Sequence, residues 1–282
     1  MFKSADQLCI VVPIYKEYSN LESEEQRSLQ QLFKILGGYK ICFVRPPHLG
    51  IGSYLAAGHA YKAVVFDEVF DEDYFKDISG YNELMISRKF YTRFDQFVFL
   101  LIYQLDAFVF RDELQHWASK NYDYIGAPWF EGHDLAKSTK IIGVGNGGFS
   151  LRKVPSALKI LERIDRLKRL RTIWVKCGMH SLFSYNRMVN LFKGRFRIKH
   201  LDGLDSLLIG ELLYEDRFWC DHVTYTFNDY TLATIEDAIQ FSFEVQPAYL
   251  YEQNKRSLPF GCHAWTKYDS DFWKPFIPTL PA

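Results

Sequence analysis

Four short segments of this chain carry residue types that do chemistry. The first, Tyr103-Gln104-Leu105-Asp106, closes the longest apolar run in the sequence, Phe97 to Tyr103. A carboxylate in that position is desolvated unless it meets a cation or several hydrogen-bond donors. Asp106 therefore reads either as the cap of a strand-to-loop turn or as a ligand for a divalent metal that bridges a diphosphate. The second, Gly143-Val144-Gly145-Asn146-Gly147-Gly148, matches GxGxxG, but Phe149-Ser150-Leu151-Arg152 follows it as a strand. A dinucleotide fingerprint would open a helix there and would meet a strand-terminal acid about 20 residues on. The loop reads instead as a glycine turn, or as bare backbone against which a bulky ligand lies, with Asn146 offering donor and acceptor to a sugar hydroxyl.

The third segment is Tyr214-Glu215-Asp216, followed by Arg217-Phe218-Trp219. Adjacent acids suit a helix N-terminus, where the dipole favours them, and one of them suits a base that takes a proton from an attacking hydroxyl. A helix N-terminus is a rigid mount, so the two readings are compatible. The fourth is Pro259-Phe260-Gly261-Cys262-His263-Ala264-Trp265. His263 reads as a structural histidine or as the nitrogen ligand of a metal otherwise held by oxygen. Cys262 adds little, since neighbours on a strand face opposite ways.

The elements that must position these residues alternate strand and helix. Leu8 to Pro13, Tyr39 to Val44, Ala63 to Phe66 and Gln96 to Tyr103 are apolar runs that read as buried parallel strands. Between them, Ser19 to Leu36 and Tyr81 to Phe94 have helical composition, the first stopped by Gly37-Gly38. This order predicts a doubly wound α/β sheet. Ligands then bind beyond the carboxyl ends of the strands, which directs attention to Tyr15, Arg45, Asp67 and Asp106. Farther on, Tyr122 to Ala127 and Gly148 to Leu151 read as short strands, Pro155 to Leu170 as a helix, and Lys274 to Pro281 as a proline-punctuated tail.

The 282 residues, 48% of them hydrophobic, suffice for a large core. With 34 Lys+Arg against 34 Asp+Glu, the chain lacks the basic excess of a general nucleic-acid binder. Cys9, Cys42, Cys177, Cys220 and Cys262 are odd in number and widely spaced, which excludes a zinc ribbon or disulfide framework and fits a reducing compartment. No signal peptide opens the sequence, and no apolar run approaches the ~20 residues of a membrane span. These features predict a soluble, cytoplasmic protein. Residues 152–176 hold nine Lys or Arg against Glu162 and Asp165, a stripe that either is a solvated helix face or meets anionic lipid at the inner face of the membrane. An acidic cluster lies at Asp67 to Asp77.

The succession of strand-end Asp, glycine-asparagine loop, Glu-Asp pair and C-terminal His resembles the GT-A class of nucleotide-sugar glycosyltransferases. The phrases YQLDAFVF (103–110), YIGAPWF (124–130), GNGGFSLR (145–152), EDRFW (215–219) and PFGCHAW (259–265) are also similar to a widespread bacterial and fungal glycosyltransferase-like family catalogued as a domain of unknown function. The resemblance covers roughly residues 8 to 265. It implies a GT-A (Rossmann-like) α/β fold, with a mostly parallel central sheet flanked by helices and a smaller acceptor-side sheet. It further implies one domain over 1–282, with a donor half near 1–110, an acceptor half near 111–265 and a tail at 266–282.

By the same resemblance, Asp106 and His263 hold a divalent cation, Mn²⁺ or else Mg²⁺, against the donor diphosphate. Pro13, Tyr15 and Gln104 join Asp106 at the nucleotide-sugar donor, a UDP-sugar. Asn146, Gly147 and Gly148 floor the acceptor site. Asp216 is the catalytic base of an inverting transfer and Glu215 positions an acceptor hydroxyl. One departure stands out: Gln104 occupies the first position of the DxD motif, so an uncharged amide replaces a carboxylate. Trp129, with Tyr124 and Phe130 around a Gly-Ala-Pro turn, is a candidate to stack on a sugar face. The implied acceptor is a glycan or lipid-linked molecule of cell-surface polysaccharide or lipopolysaccharide synthesis. A non-catalytic glycan-binding module and a nucleotidyltransferase are the alternatives. The second should carry a Gly-rich basic loop after the first strand, where this chain has Tyr15-Lys16-Glu17.

Overall fold

A computed structural model describes residues 5–133, 137–176, 189–190, 193–209 and 214–278. The chain first lays down β1 (Leu8–Pro13), α1 (Ser23–Leu36), β2 (Lys40–Arg45), α2 (Gly52–Ala60), β3 (Val64–Val69), α3 (Ile78–Met85), α4 (Arg88–Arg93) and β4 (Phe99–Tyr103). It continues through β5 (Phe108–Val109), α5 (Leu114–Ser119), β6 (Tyr124–Ile125), β7 (Pro128–Phe130), β8 (Ile141–Val144), β9 (Phe149–Lys153) and α6 (Val154–Lys176). The last strands described are β10 (Ser242–Phe243) and β11 (Gly261–Cys262).

Six strands form the central sheet in the order β3-β2-β1-β4-β9-β6. β1 pairs in parallel with both β2 and β4, while β9 runs antiparallel to its neighbours β4 and β6. β10, β11 and β5 make a second sheet, and β7 with β8 a two-stranded ribbon. The mixed α/β architecture with a mostly parallel centre is the one the strand pattern predicts.

β1 and β4 are buried along their whole length because both faces of the sheet are covered. Their alternate residues feed different cores: Cys9, Val11, Leu100 and Ile102 on one side, Ile10, Val12, Leu101 and Tyr103 on the other. α1 starts at Ser23, four residues later than the composition suggests, because Glu22 and Glu25 close a reciprocal capping box. The helix expected over Tyr81 to Phe94 is two helices. Ile86 closes the first and Ser87 caps the second, its hydroxyl accepting from the Phe90 amide at 3.0 Å.

Several charges also settle differently from expectation. Asp67 lies within the edge strand β3, not beyond it, and its carboxylate pairs with Arg45 at 2.8 Å. Glu68 and Asp71 in the acidic cluster pair with Arg93 and Lys89. Much of the basic stretch is likewise neutralised: Lys159 and Arg163 share Asp229, Arg166 pairs with Glu162, and Arg152 is not on the surface at all. Only the last nine residues of α6 keep Lys168, Arg169, Arg171 and Lys176 without an acidic partner among the described residues, beside the exposed Leu170, Ile173 and Val175. Residues 266–278 are not a loose tail. Trp273 is buried and stacks on Phe110, and Ile277 is buried beside them in the core of the second sheet.

Cys9, Cys42, Cys220 and Cys262 are buried free thiols, and Cys177 lies outside the described residues. Among the described residues, no helix is long and apolar enough to cross a membrane.

Candidate functional site

From β1 the chain winds outward through β2 and β3, then crosses back to place β4 on the other side of β1. Such a reversal leaves a crevice at the carboxyl ends of the two central strands. A cavity of about 1000 Å³ opens there. Pro13, Tyr15, Gln104, Asp106, Trp129, Asn146, Gly147, Gly148, Glu215, Asp216 and His263 all line it. Residues separated by 250 positions in the chain thus share one pocket. Arg45 and Asp67 do not reach it, being tied to each other at the sheet edge.

One wall is built around His263. β11 delivers it just past Cys262, and its amide donates to the Phe243 carbonyl at 3.0 Å. The imidazole Nε2 faces Asp106 Oδ1 and Gln104 Oε1, each at 3.1 Å, and Nδ1 meets Glu244 Oε1 at 2.8 Å. Burial alone would lower the histidine pKa, but the carboxylates of Asp106 and Glu244 outweigh it and raise it to about 10. Asp106 answers in kind: burial pushes its carboxyl up, and the His263 charge outweighs this and holds it below the ordinary value.

The opposite wall is the Glu215–Asp216 turn. Glu215 is buried, and its two oxygens meet the two terminal nitrogens of Arg152, each at 2.8 Å. Arg152 is itself only 1% exposed, sits over the Tyr124 ring and donates to the Gly147 carbonyl at 3.1 Å. The Glu215 amide donates to Asn82 Oδ1 at 3.1 Å, which ties the turn to α3. Asp216 is the freer acid. Its Oδ1 accepts from the Arg217 amide at 2.8 Å, and burial, reinforced by the Glu215 charge, pushes its pKa up from 3.8 to about 7. A π-helical segment, Phe218–Val223, follows directly.

The glycine loop joins the two walls. A Cβ on Gly147 would lie 1.9 Å from Glu215 Oε1, and one on Gly148 would lie 1.9 Å from His263 Nε2. The space directly above these glycines is therefore filled by the protein's own acid and imidazole, while the loop still borders the cavity. Asn146 is 2% exposed and left-handed, with φ 76°. Its Oδ1 accepts from the amides of Gly148 and Phe149, so its carboxamide oxygen shapes the loop. Gly145 is flat under Trp129, where a Cβ would lie 1.9 Å from the indole. Trp129 is 9% exposed, so it offers the pocket little surface. Tyr124 is fully buried and donates to the Asn146 carbonyl at 2.6 Å, so it is a support of the loop and not a sugar platform.

Glu244, Arg152, Asn82 and Lys267 join the site although neither type nor spacing marks them as a motif. Glu244 and Lys267 line the cavity, and the Lys267 charge helps to hold Asp106 ionised. Chemically, the pocket offers a carboxylate–imidazole–amide cluster on one side and a carboxylate poised to exchange a proton near neutrality on the other.

The family model for a protein of unknown function, DUF5672, matches residues 66–263. This span contains Gln104 through His263 and leaves out β1 with Pro13 and Tyr15. No curated protein matches the chain. Among solved structures, the glycosyltransferase GlyE of Streptococcus pneumoniae TIGR4 is similar with a TM-score of 0.43 and 10% identity, over 92% of this chain and 54% of that one. Mouse xyloside xylosyltransferase 1 is similar with a TM-score of 0.44 and 10% identity, over 90% of this chain and 96% of that one. Core-mannan synthase A from Aspergillus fumigatus, in its Mn/GDP form, is similar with a TM-score of 0.34 and 12% identity, over 44% of this chain and 43% of that one. The chain spans about half the length of the GlyE and core-mannan synthase structures.

Proposed function

This chain belongs to the DUF5672 family, whose function is unknown, and from the geometry of its pocket we propose that it is a GT-A-type glycosyltransferase. It moves one sugar from a nucleoside-diphosphate donor, UDP-linked, to a hydroxyl of a glycan or lipid-linked acceptor. The observation that carries the reading is the seating of Glu215 and His263 on two successive glycines. The turn that carries the candidate base Asp216 and a candidate cation cluster thereby flank a single loop of a single cavity.

In the proposed step, Asp216 takes the proton of the acceptor hydroxyl as that oxygen bonds to the anomeric carbon. The bond from the anomeric carbon to the diphosphate oxygen breaks, its electron pair leaves with the nucleoside diphosphate, and the configuration inverts. A base with a pKa near 7 is matched to this task at neutral pH. Glu215, its charge met by Arg152, holds the turn that presents Asp216 and does not itself have to meet the acceptor. Pro13, Tyr15 and Gln104 line the donor end, and Trp129 and the Asn146–Gly148 loop line the acceptor end.

The residues fit a divalent cation. Carboxylate, amide oxygen and imidazole converge at Asp106, Gln104 and His263, a mixed oxygen and nitrogen set that suits Mn²⁺ or Mg²⁺ once the cation displaces the proton from His263 Nε2. Among the described residues no three His, Cys, Asp or Glu gather into a complete site. Diphosphate and water would complete the shell, as such cations commonly require. When bound, the cation neutralises charge on the departing diphosphate. Lys267 supplies a further cation on the same side.

The one-domain division into donor and acceptor halves is part of this proposal. So are a place in cell-surface polysaccharide or lipopolysaccharide synthesis and a cytoplasmic setting. The basic and apolar end of α6 supports peripheral contact with anionic lipid, where a lipid-linked acceptor would lie.

The test is release of nucleoside diphosphate from a panel of UDP-, GDP- and CDP-sugars in the presence of Mn²⁺. One donor should be consumed, and Asp216→Asn should cost about 10²–10⁴-fold in turnover. A variant that turns over at the wild-type rate would remove Asp216 from the base role.

A further inference from the structure

We propose that Glu244 is a positioning residue, which holds the His263 ring so that Nε2 is presented to a divalent cation. The inference rests on the transferase reading for the presence of that cation, and it extends the site to the residue behind the ring.

Three observations converge on Glu244. The first is backbone register: β10 and β11 pair in parallel with Phe243 opposite Cys262, so Glu244 and His263 leave the ladder side by side. The His263 amide donates to the Phe243 carbonyl at 3.0 Å, which fixes the two residues relative to each other. The second is the contact itself, Glu244 Oε1 to His263 Nδ1 at 2.8 Å. Both side chains are sheltered, at 15% and 13% exposure, so water competes weakly for this bond. The third is the direction it imposes. With Nδ1 held by Glu244, Nε2 points at the oxygens of Asp106 and Gln104.

The ring has little other freedom. Gly148 packs against its Nε2 edge closely enough that any Cβ would collide. Asn146 Nδ2 stands 3.3 Å from Nδ1 on the loop side. A carboxylate on the far nitrogen of a metal-binding histidine fixes its tautomer, orients the ring and raises its basicity as a ligand. Glu244 supplies that arrangement from the position directly after the two-residue strand β10.

The experiment measures Mn²⁺ binding by the electron paramagnetic resonance signal of free Mn²⁺, with saturating UDP and, in parallel, GDP. Wild type should take up one Mn²⁺, and Glu244→Gln should bind it 10–100-fold more weakly. Nucleotide affinity in metal-free buffer should be the same in both, a readout that a general structural defect would lower. Glu244→Asp, which keeps the carboxylate, should recover part of the loss and serves in its place if the Gln variant does not fold. Equal Mn²⁺ affinity in wild type and Glu244→Gln would overturn the role of Glu244 while leaving the cation reading in place. Parallel loss of metal-free nucleotide binding would overturn it in favour of a packing role. No Mn²⁺ uptake by wild type with either nucleotide would overturn the cation reading, and this proposal with it.

Discussion

At the scale of single residues, Asp216 sets the pH dependence. Its folded pKa of about 7 lies above the unfolded 3.8. Between those values the folded chain holds a proton that the unfolded chain has released, so rising pH removes stability across the window. Asp216→Asn abolishes this loss. The variant should melt above wild type at pH 8 and together with it at pH 4. Activity should run the other way, since the proposed base must be ionised. Wild-type kcat/KM should climb about tenfold per pH unit below pH 7 and level off above it. A flat profile from pH 5 to 8 would contradict the base assignment. That Asp106, Asp216 and His263 line one cavity is legible because each is a polar group set beside apolar strand or aromatic residues. Glu244 bears a weaker form of this signal, an acid just after Phe241-Ser242-Phe243, but two residues are too short a strand to show a period. Arg152 was misplaced for a different reason. Counted with the basic stretch it looks like surface charge, whereas its position inside a buried strand already demands a partner.

At the scale of elements, the Arg152–Glu215 pair is the bolt between β9 and the turn that carries Asp216. Removing one member of a buried ion pair leaves the other uncompensated, which typically costs about 3–5 kcal/mol. Arg152→Met should therefore lower the urea midpoint sharply, and a midpoint equal to that of wild type would show that the pair does not hold the turn. The long central strands were readable as continuous apolar runs, and β1 and β4 lie within a few residues of expectation. The break between α3 and α4 was not, because Ser87 interrupts a composition that is helical on both sides. The packing of Trp273 and Ile277 was also hidden, since prolines near a chain end suggest a tail while the buried aromatics around them require a core.

At the scale of the molecule, the pocket exists because the sheet reverses its winding between β1 and β4, and because a glycine loop from the antiparallel β9 side reaches the same end. Sequence order alone points to a shared site; it cannot say that Gly147 and Gly148 each seat a wall of it. The central claim is that this cavity takes a nucleoside diphosphate beside a divalent cation. Thermal unfolding with UDP, GDP, CDP, ADP and NAD, each with and without Mn²⁺, tests it most directly. A ligand at 100 times its Kd adds about 2.7 kcal/mol, which should raise Tm by roughly 5 °C in a chain of this size. The account predicts such a rise with UDP, larger with Mn²⁺ and without the Mn²⁺ increment in Asp106→Asn. A rise with NAD alone, or none with any nucleoside diphosphate, would contradict it.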